Sequence, residues 1–267
     1  MKNPIIEALL EMHYFSALKD FFSSIYDTEF MRILKPSSRN ENWYGFDQGW
    51  VYTTLSTEEL FRQLRKNIHR GLQNSPSIWC GYFLQFKPVE KMVGRTRNDY
   101  KPAGFRLPYL RSELDLGINR QTGLSQHETL RRLSNIRRSS VSYACPMLFD
   151  HNIWSPPDLS EIRFVPVRLD SPSWVNGRHF IAFQDTTGND FVWKSEEIEG
   201  KAISFKEWFI GIDKMDGKGI IDLIEDSVKE IKKATQKENS HLVKNDKDEI
   251  TSLLPSSLTI IEMKSQD

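Results

Sequence analysis

A chain of 267 residues, 39% hydrophobic and 12% aromatic, can bury one large domain or a core domain with a helical appendage, and these fractions exclude general disorder. No window approaches about 18 uninterrupted apolar residues, and the opening MKNPIIEALLEMHYF breaks its apolar residues with charges, so the expectation is no membrane span and no secretory leader. The formal net charge of zero hides a division: residues 87–138 carry 12 Lys and Arg against 5 Asp and Glu (+7), and residues 196–267 carry 11 against 16 (−5). A basic middle suits a polyanion such as nucleic acid, and an acidic C-terminal part suits a solvated helical appendage or a partner surface; an ordinary solvated surface explains the same division equally well.

In chain order, residues 4–25 repeat apolar residues at helical spacing and predict a long helix, with Pro4 tolerated in its first turn. WYGFDQGWVYTT, residues 43–54, is aromatic and β-branched and reads as a strand or hairpin element. Residues 57–73 predict a second helix capped by Thr57, and SPSIWCGYFLQFK, residues 75–87, a strongly apolar strand. Residues 88–123 are rich in Arg, Pro and Gly and predict a loop with a short strand around FRLPYLR. Ser125 then caps a basic helix, QHETLRRLSNIRR, and SVSYACPMLF follows as a strand. IRFVPVRL, RHFIAFQD and DFVWK read as further β structure, SFKEWFIGID and GIIDLIEDSVKEIKKA as a helical C-terminal region, and the last thirty or so residues as a polar, loosely ordered tail. Cys80 and Cys145 lie in apolar strand-like runs without Cys-x-x-Cys spacing, which fits reduced buried thiols and a cytoplasmic setting.

Three features carry chemistry. Glu11 shares a 3,4-spaced stripe with Ala8, Phe15, Leu18 and Phe22, and a carboxylate on a core face must be paired, hydrogen-bonded or metal-bound; pairing with a nearby Arg is the plain alternative. Asp47 lies between Gly45 and Gly49, which leave room for a ligand or metal, although a hairpin turn would also place an aspartate there. Gln85 and Lys87 are two apart near a strand end and project from one face, with Leu84 and Phe86 pointing the other way; a strand-end lysine can also simply snorkel to water.

A helix with Glu11, a strand with Asp47 and a strand ending Gln85-Phe86-Lys87 resemble, in order and context, the PD-(D/E)xK nuclease superfamily over roughly residues 4–150. The resemblance implies an α/β fold with a central mixed β-sheet flanked by helices, a restriction-endonuclease-like core, with additional β and a helical C-terminal region. In that division residues 1–150 form the core, 151–235 extend it, and 236–267 form a flexible tail. It further implies Mg²⁺ or Mn²⁺ held by Asp47, Gln85 and Glu11, with Lys87 orienting or activating the attacking water. Gln85 stands where the superfamily carries Asp or Glu, and an amide oxygen is a weaker ligand. That departure leaves open low activity, altered metal dependence or loss of catalysis. The helix opening Gln126-His127 and the YACP strand continue the match. Gln126 either approaches the site or makes a capping contact, and Arg131 and Arg132, with Arg137 and Arg138 further along, give the helix a phosphate-facing surface. Arg95 and Arg97 in the basic loop are further phosphate contacts, and Glu41 is an additional acidic candidate.

Other chemistries lack motifs. The six histidines show no zinc spacing, and no phosphate-binding glycine loop, dinucleotide fingerprint or nucleophile elbow occurs. The expectation is a metal-dependent endonuclease hydrolysing phosphodiester bonds of DNA ahead of RNA, in defence against foreign DNA, including antiviral defence, or in repair. Cutting both strands of a duplex calls for two sites, which points to a homodimer; an activating partner protein is a separate expectation. The alternative is a catalytically inactive nuclease-like module binding nucleic acid or a partner, and a weaker third reading is a purely structural protein.

Overall fold

The computed structural model describes residues 5–37, 40–70, 79–94, 101–115, 117–149, 153–168, 171, 178–194 and 198–209. The expected phosphate contacts Arg95 and Arg97, the polar tail and most of the C-terminal helical region lie outside these residues.

The chain is an α/β protein whose central sheet is mixed. Five strands, β1 (Met31–Leu34), β2 (Gln48–Thr53), β3 (Trp79–Phe86), β6 (Ser139–Pro146) and β7 (Ile162–Pro166), lie in the order β1-β2-β3-β6-β7. The β3–β6 pair is parallel, with Gln85 beside Tyr143, and the other three pairs are antiparallel. Every residue of β3 is buried, because the sheet is covered on both faces; this is why the sequence runs apolar through that strand instead of alternating.

Helix α1 (Glu7–Ile25) covers one face. Leu10, Tyr14, Leu18 and Phe22 recur at helical spacing and are at most 1% exposed. They pack on the strand residues of one parity: Phe22 stacks on Trp50 at 5.1 Å between ring centroids, and Tyr14 on Phe86 at 6.3 Å. The short helical segment 205–209 joins the same layer through Trp208 and Phe209.

On the opposite face sit the one-turn helix α2 (Glu41–Tyr44), α3 (Thr57–Arg70) and α4 (Gln126–Ser134). Leu60, Leu64 and Ile68 recur every four residues on α3 and join Phe83, Leu130, Leu133 and Val141 in the larger core. A second, fully antiparallel sheet packs one face into that core through Leu110, Leu114, Ile181, Phe183, Phe191 and Trp193. Its strands are β4 (Glu90–Met92), β5 (Tyr109–Asp115), β8 (Arg178–Phe183), β9 (Asp190–Trp193) and β10 (Ile198–Lys201), in the order β10-β9-β8-β5-β4.

The structure revises three details of the sequence reading. Residues 43–47 do not form strand: Glu41–Tyr44 is a helical turn closed by left-handed Gly45 (φ 77°), and β2 begins only at Gln48. The expected β structure after residue 150 divides, β7 completing the central sheet and the rest building the second one. The short edge strand β1 carries no strong strand signature of its own and takes its place through pairing with β2. Both cysteines are free and buried, and among the described residues no helix is long and apolar enough to cross a membrane.

Candidate functional site

At the C-terminal end of β3, three layers of side chains meet. Gln85 and Lys87 leave the strand toward the α4 side, because residues of their parity, like Phe83, face that core. Asp47 enters just before β2, where its backbone N–H donates to Leu84 O at 2.9 Å. The first turn of α1 brings Glu7 over the same strand end.

The hydrogen bonds converge on Gln85, which is 1% exposed. Its Nε2 donates to Asp47 Oδ2 at 2.7 Å and to Glu7 Oε1 at 2.7 Å. Its Oε1 accepts from Gln126 Nε2 at 2.9 Å, and Phe86 N donates to Asp47 Oδ2 at 2.7 Å. Lys87 Nζ, nearly buried, donates to the same Glu7 oxygen at 2.9 Å. Asp47, Gln85, Lys87 and Gln126 are therefore brought into one network.

Glu11, the carboxylate expected in this network from α1, is displaced from it by one helical turn. It pairs with Lys35, and its main-chain oxygen accepts from Gln48 Nε2 at 3.2 Å. Glu7 takes the expected place. The buried face of α1 runs through Leu10, Glu11, Tyr14, Leu18 and Phe22, so Glu11 is on the core side as its spacing implies, although Ala8 and Phe15 of the same stripe are exposed; what separates the two acids is their position along the helix. Glu7 stands four residues before Glu11 on this face, so helical spacing contained the signal. Lys35 was also missed; it follows β1 in a segment with no periodic pattern.

The glycines around Asp47 do a different job from the one expected. A Cβ on Gly45 would lie 3.1 Å from Gln126 O and 3.2 Å from Leu130 and Thr129, and one on Gly49 would lie 3.0 Å from the Phe83 ring. They permit close packing of α4 and of the core and do not open a ligand space. Gly45 in particular lets the backbone before Asp47 press against the start of α4, which Ser125 fixes by accepting from Glu128 N through its side chain.

The α4 arginines are tied down on their own helix. Arg131 and Arg132 donate to Glu128 at 2.7 and 3.1 Å, and Arg131 is only 16% exposed at its side chain, which leaves it a packed ion pair. Gln126 points inward to Gln85.

The electrostatics are those of crowded acids. Burial, then the Glu7 and Glu11 charges, push the Asp47 carboxyl well above the ordinary range, against the pull of Lys87 and the Phe86 N–H. Burial is the main cause that raises Glu41 too, with Lys35 and Lys87 opposing Glu11 and Glu7, so Glu41 borders the same group. Among the described residues no three His, Cys, Asp or Glu side chains group as a metal cage. Mg²⁺ does not require one: it takes one or two carboxylates, waters and phosphate oxygens at about 2.0–2.1 Å. Two carboxylate oxygens, each 2.7 Å from one shared nitrogen, are a donor set that fits it.

No family model matches this chain, and comparisons with curated proteins and with solved structures find no match either.

Proposed function

We propose that this protein is a metal-dependent phosphodiesterase acting on nucleic acid, DNA ahead of RNA, with Glu7, Asp47, Gln85 and Lys87 at its centre. The observation that carries the reading is the shared donor position between Asp47 Oδ2 and Glu7 Oε1, with a buried lysine on the same Glu7 oxygen.

Asp47 and Glu7 would hold Mg²⁺ or Mn²⁺, with Gln85 adding its amide oxygen. Bound there, the ion supplies Lewis-acid stabilisation of charge on a phosphoryl oxygen and lowers the pKa of a coordinated water. Lys87, 7% exposed, sits at the strand end where a phosphodiester would approach, and its ammonium orients the attacking water or a phosphate oxygen. Burial and two neighbouring acids raise the Asp47 carboxyl, and a cation held beside it would favour its charged form. Defence against foreign DNA and repair are both roles such an activity serves, alone or with an activating partner.

A second reading has an observation of its own. The Gln85 amide nitrogen occupies the position between the two carboxylates and satisfies both, as a silent nuclease-like binding module would need. Cleavage of plasmid and single-stranded DNA and RNA with Mg²⁺ or Mn²⁺ separates the two. Metal-dependent cutting that Asp47→Ala and Lys87→Ala each abolish, in variants that still fold, is the result expected. Wild-type protein that binds nucleic acid and never cuts overturns the enzyme reading in favour of the module.

A further inference from the structure

We propose that Gln126 is a positioning residue that decides which end of the Gln85 amide faces the Asp47–Glu7 pair, so that cation entry requires the two glutamine amides to turn over together. This rests on the metal-dependent reading above and concerns control of that same site.

The Gln85 amide is fully committed. Nε2 has two hydrogens, directed to Asp47 Oδ2 and Glu7 Oε1, and Oε1 accepts from Gln126 Nε2. At 1% exposure it has no bulk water with which to exchange these partners. In this orientation the group facing the carboxylates is a hydrogen-bond donor that substitutes for positive charge. A divalent cation in the same place needs the opposite end, because only the amide oxygen carries a lone pair for it.

Rotation about the last side-chain torsion of Gln85 exchanges oxygen for NH₂ at nearly constant volume, so the surrounding core does not oppose it. The obstacle is Gln126. After rotation Gln85 presents N–H groups to Gln126, whose own Nε2 now faces a donor. Two donors facing each other at the buried Gln85 amide leave a hydrogen bond unmade there unless the half-buried Gln126 rotates as well and offers Oε1. The Gln126 backbone cannot retreat, since Ser125 caps the helix there and Gly45 packs against Gln126 O. The side chains must turn as a pair. Metal-free, the network holds the amide in the excluding orientation; with metal it holds the coordinating one.

The experiment compares Mg²⁺ and Mn²⁺ binding by calorimetry in wild type, Gln85→Glu, Gln126→Glu, Gln126→Leu and the corresponding double variants. It also follows the Gln85 side-chain amide resonances in ¹⁵N-glutamine-labelled protein. Gln85→Glu removes the orientation requirement and binds more tightly than wild type. In Gln126→Glu the carboxylate only accepts, so it holds Gln85 Nε2 to itself in the coordinating orientation and tightens wild-type binding about fivefold more than it does beside Gln85→Glu, the equivalent of a net hydrogen bond. Gln126→Leu takes one hydrogen bond from each orientation and leaves wild-type affinity within about twofold. The Gln85 amide resonances move on Mg²⁺ addition to wild type. If Gln85→Glu binds metal but Gln126→Glu acts equally in both backgrounds, the paired turnover is wrong and the metal site stands. If Gln85→Glu binds neither ion at millimolar concentration, the metal reading falls and takes this proposal with it.

Discussion

Two lysine–carboxylate pairs lean on α1 one turn apart, and they are built in opposite senses. In the Lys35–Glu11 pair the carboxylate is buried (11% exposed at its side chain) and the lysine half open at 51%. In the Lys87–Glu7 pair the lysine is buried at 9% and the carboxylate is the open partner at 36%. The first arrangement leaves water and an exposed cation to solvate a structural acid. The second confines a cation whose bonded acidic partner also shares a donor with Asp47. Burial of a carboxylate therefore marks Glu11, but convergence of side chains from three elements marks Glu7. The difference teaches that an acid's neighbours, more than its burial, single out the one that the proposed metal position would use.

The comparison breaks most sharply at activity. Glu7→Gln should lower metal-dependent cleavage by about 100-fold or more, whereas Glu11→Gln should lose less than about tenfold, because only the former faces the shared donor position. Initial rates at saturating Mn²⁺ measure both, and equal losses would erase the distinction drawn between the two acids. Stability gives the next effect. Glu7→Gln leaves Lys87 buried without its carboxylate and should cost about 2 kcal/mol in urea unfolding, less than a fully enclosed pair because Glu7 is partly open to solvent. Lys35→Gln leaves the Glu11 carboxylate, 11% exposed at its side chain, without its cation and should cost about 1–2 kcal/mol, the smaller loss because a glutamine at 35 can still donate to it.

The smallest effect is a pH dependence at Asp47. Its folded-state pKa lies above the ordinary 3.8, so the folded protein holds this proton more tightly than the unfolded chain. The stabilisation is fully present below 3.8 and is lost as pH rises through the raised folded value. Asp47→Asn removes that loss and keeps an acceptor for Phe86 N–H. Its melting temperature without metal should exceed that of wild type at neutral pH, with the gap closing as pH falls toward 3.8, and added Mg²⁺ should stabilise wild type alone. A gap that stays constant with pH would show that Asp47 is ionised at little cost.

Much of the framework was legible because local periodicity is a local property. The recurrence of Leu10, Tyr14, Leu18 and Phe22 at every fourth residue predicts α1, the same repeat of Leu60, Leu64 and Ile68 predicts α3, and Ser125 before a basic amphipathic run predicts the start of α4. The uninterrupted apolar run of β3 likewise foretells a strand covered on both faces. The two-residue spacing of Gln85 and Lys87 puts both on one side of that strand, where the structure finds them. The open space that Gly45 and Gly49 suggest around Asp47 is absent, because both glycines are filled by close neighbours; Asp47 joins the network through the Gln85 amide and the Phe86 N–H instead.

The sequence by itself determined the α/β character, the long first helix, the apolar central strand and the common face of Gln85 and Lys87, because each depends on spacing within one element. Only the tertiary structure decided that Glu7 and not Glu11 faces that strand end, that Gln126 turns inward, that Arg131 and Arg132 are tied to Glu128, and that the late strands split between two sheets. Those outcomes depend on where α1 sits along its axis over the sheet and on how closely Gly45 lets α4 approach it. Both are fixed by packing between segments distant in sequence, and a one-turn difference along a helix leaves its hydrophobic pattern almost unchanged.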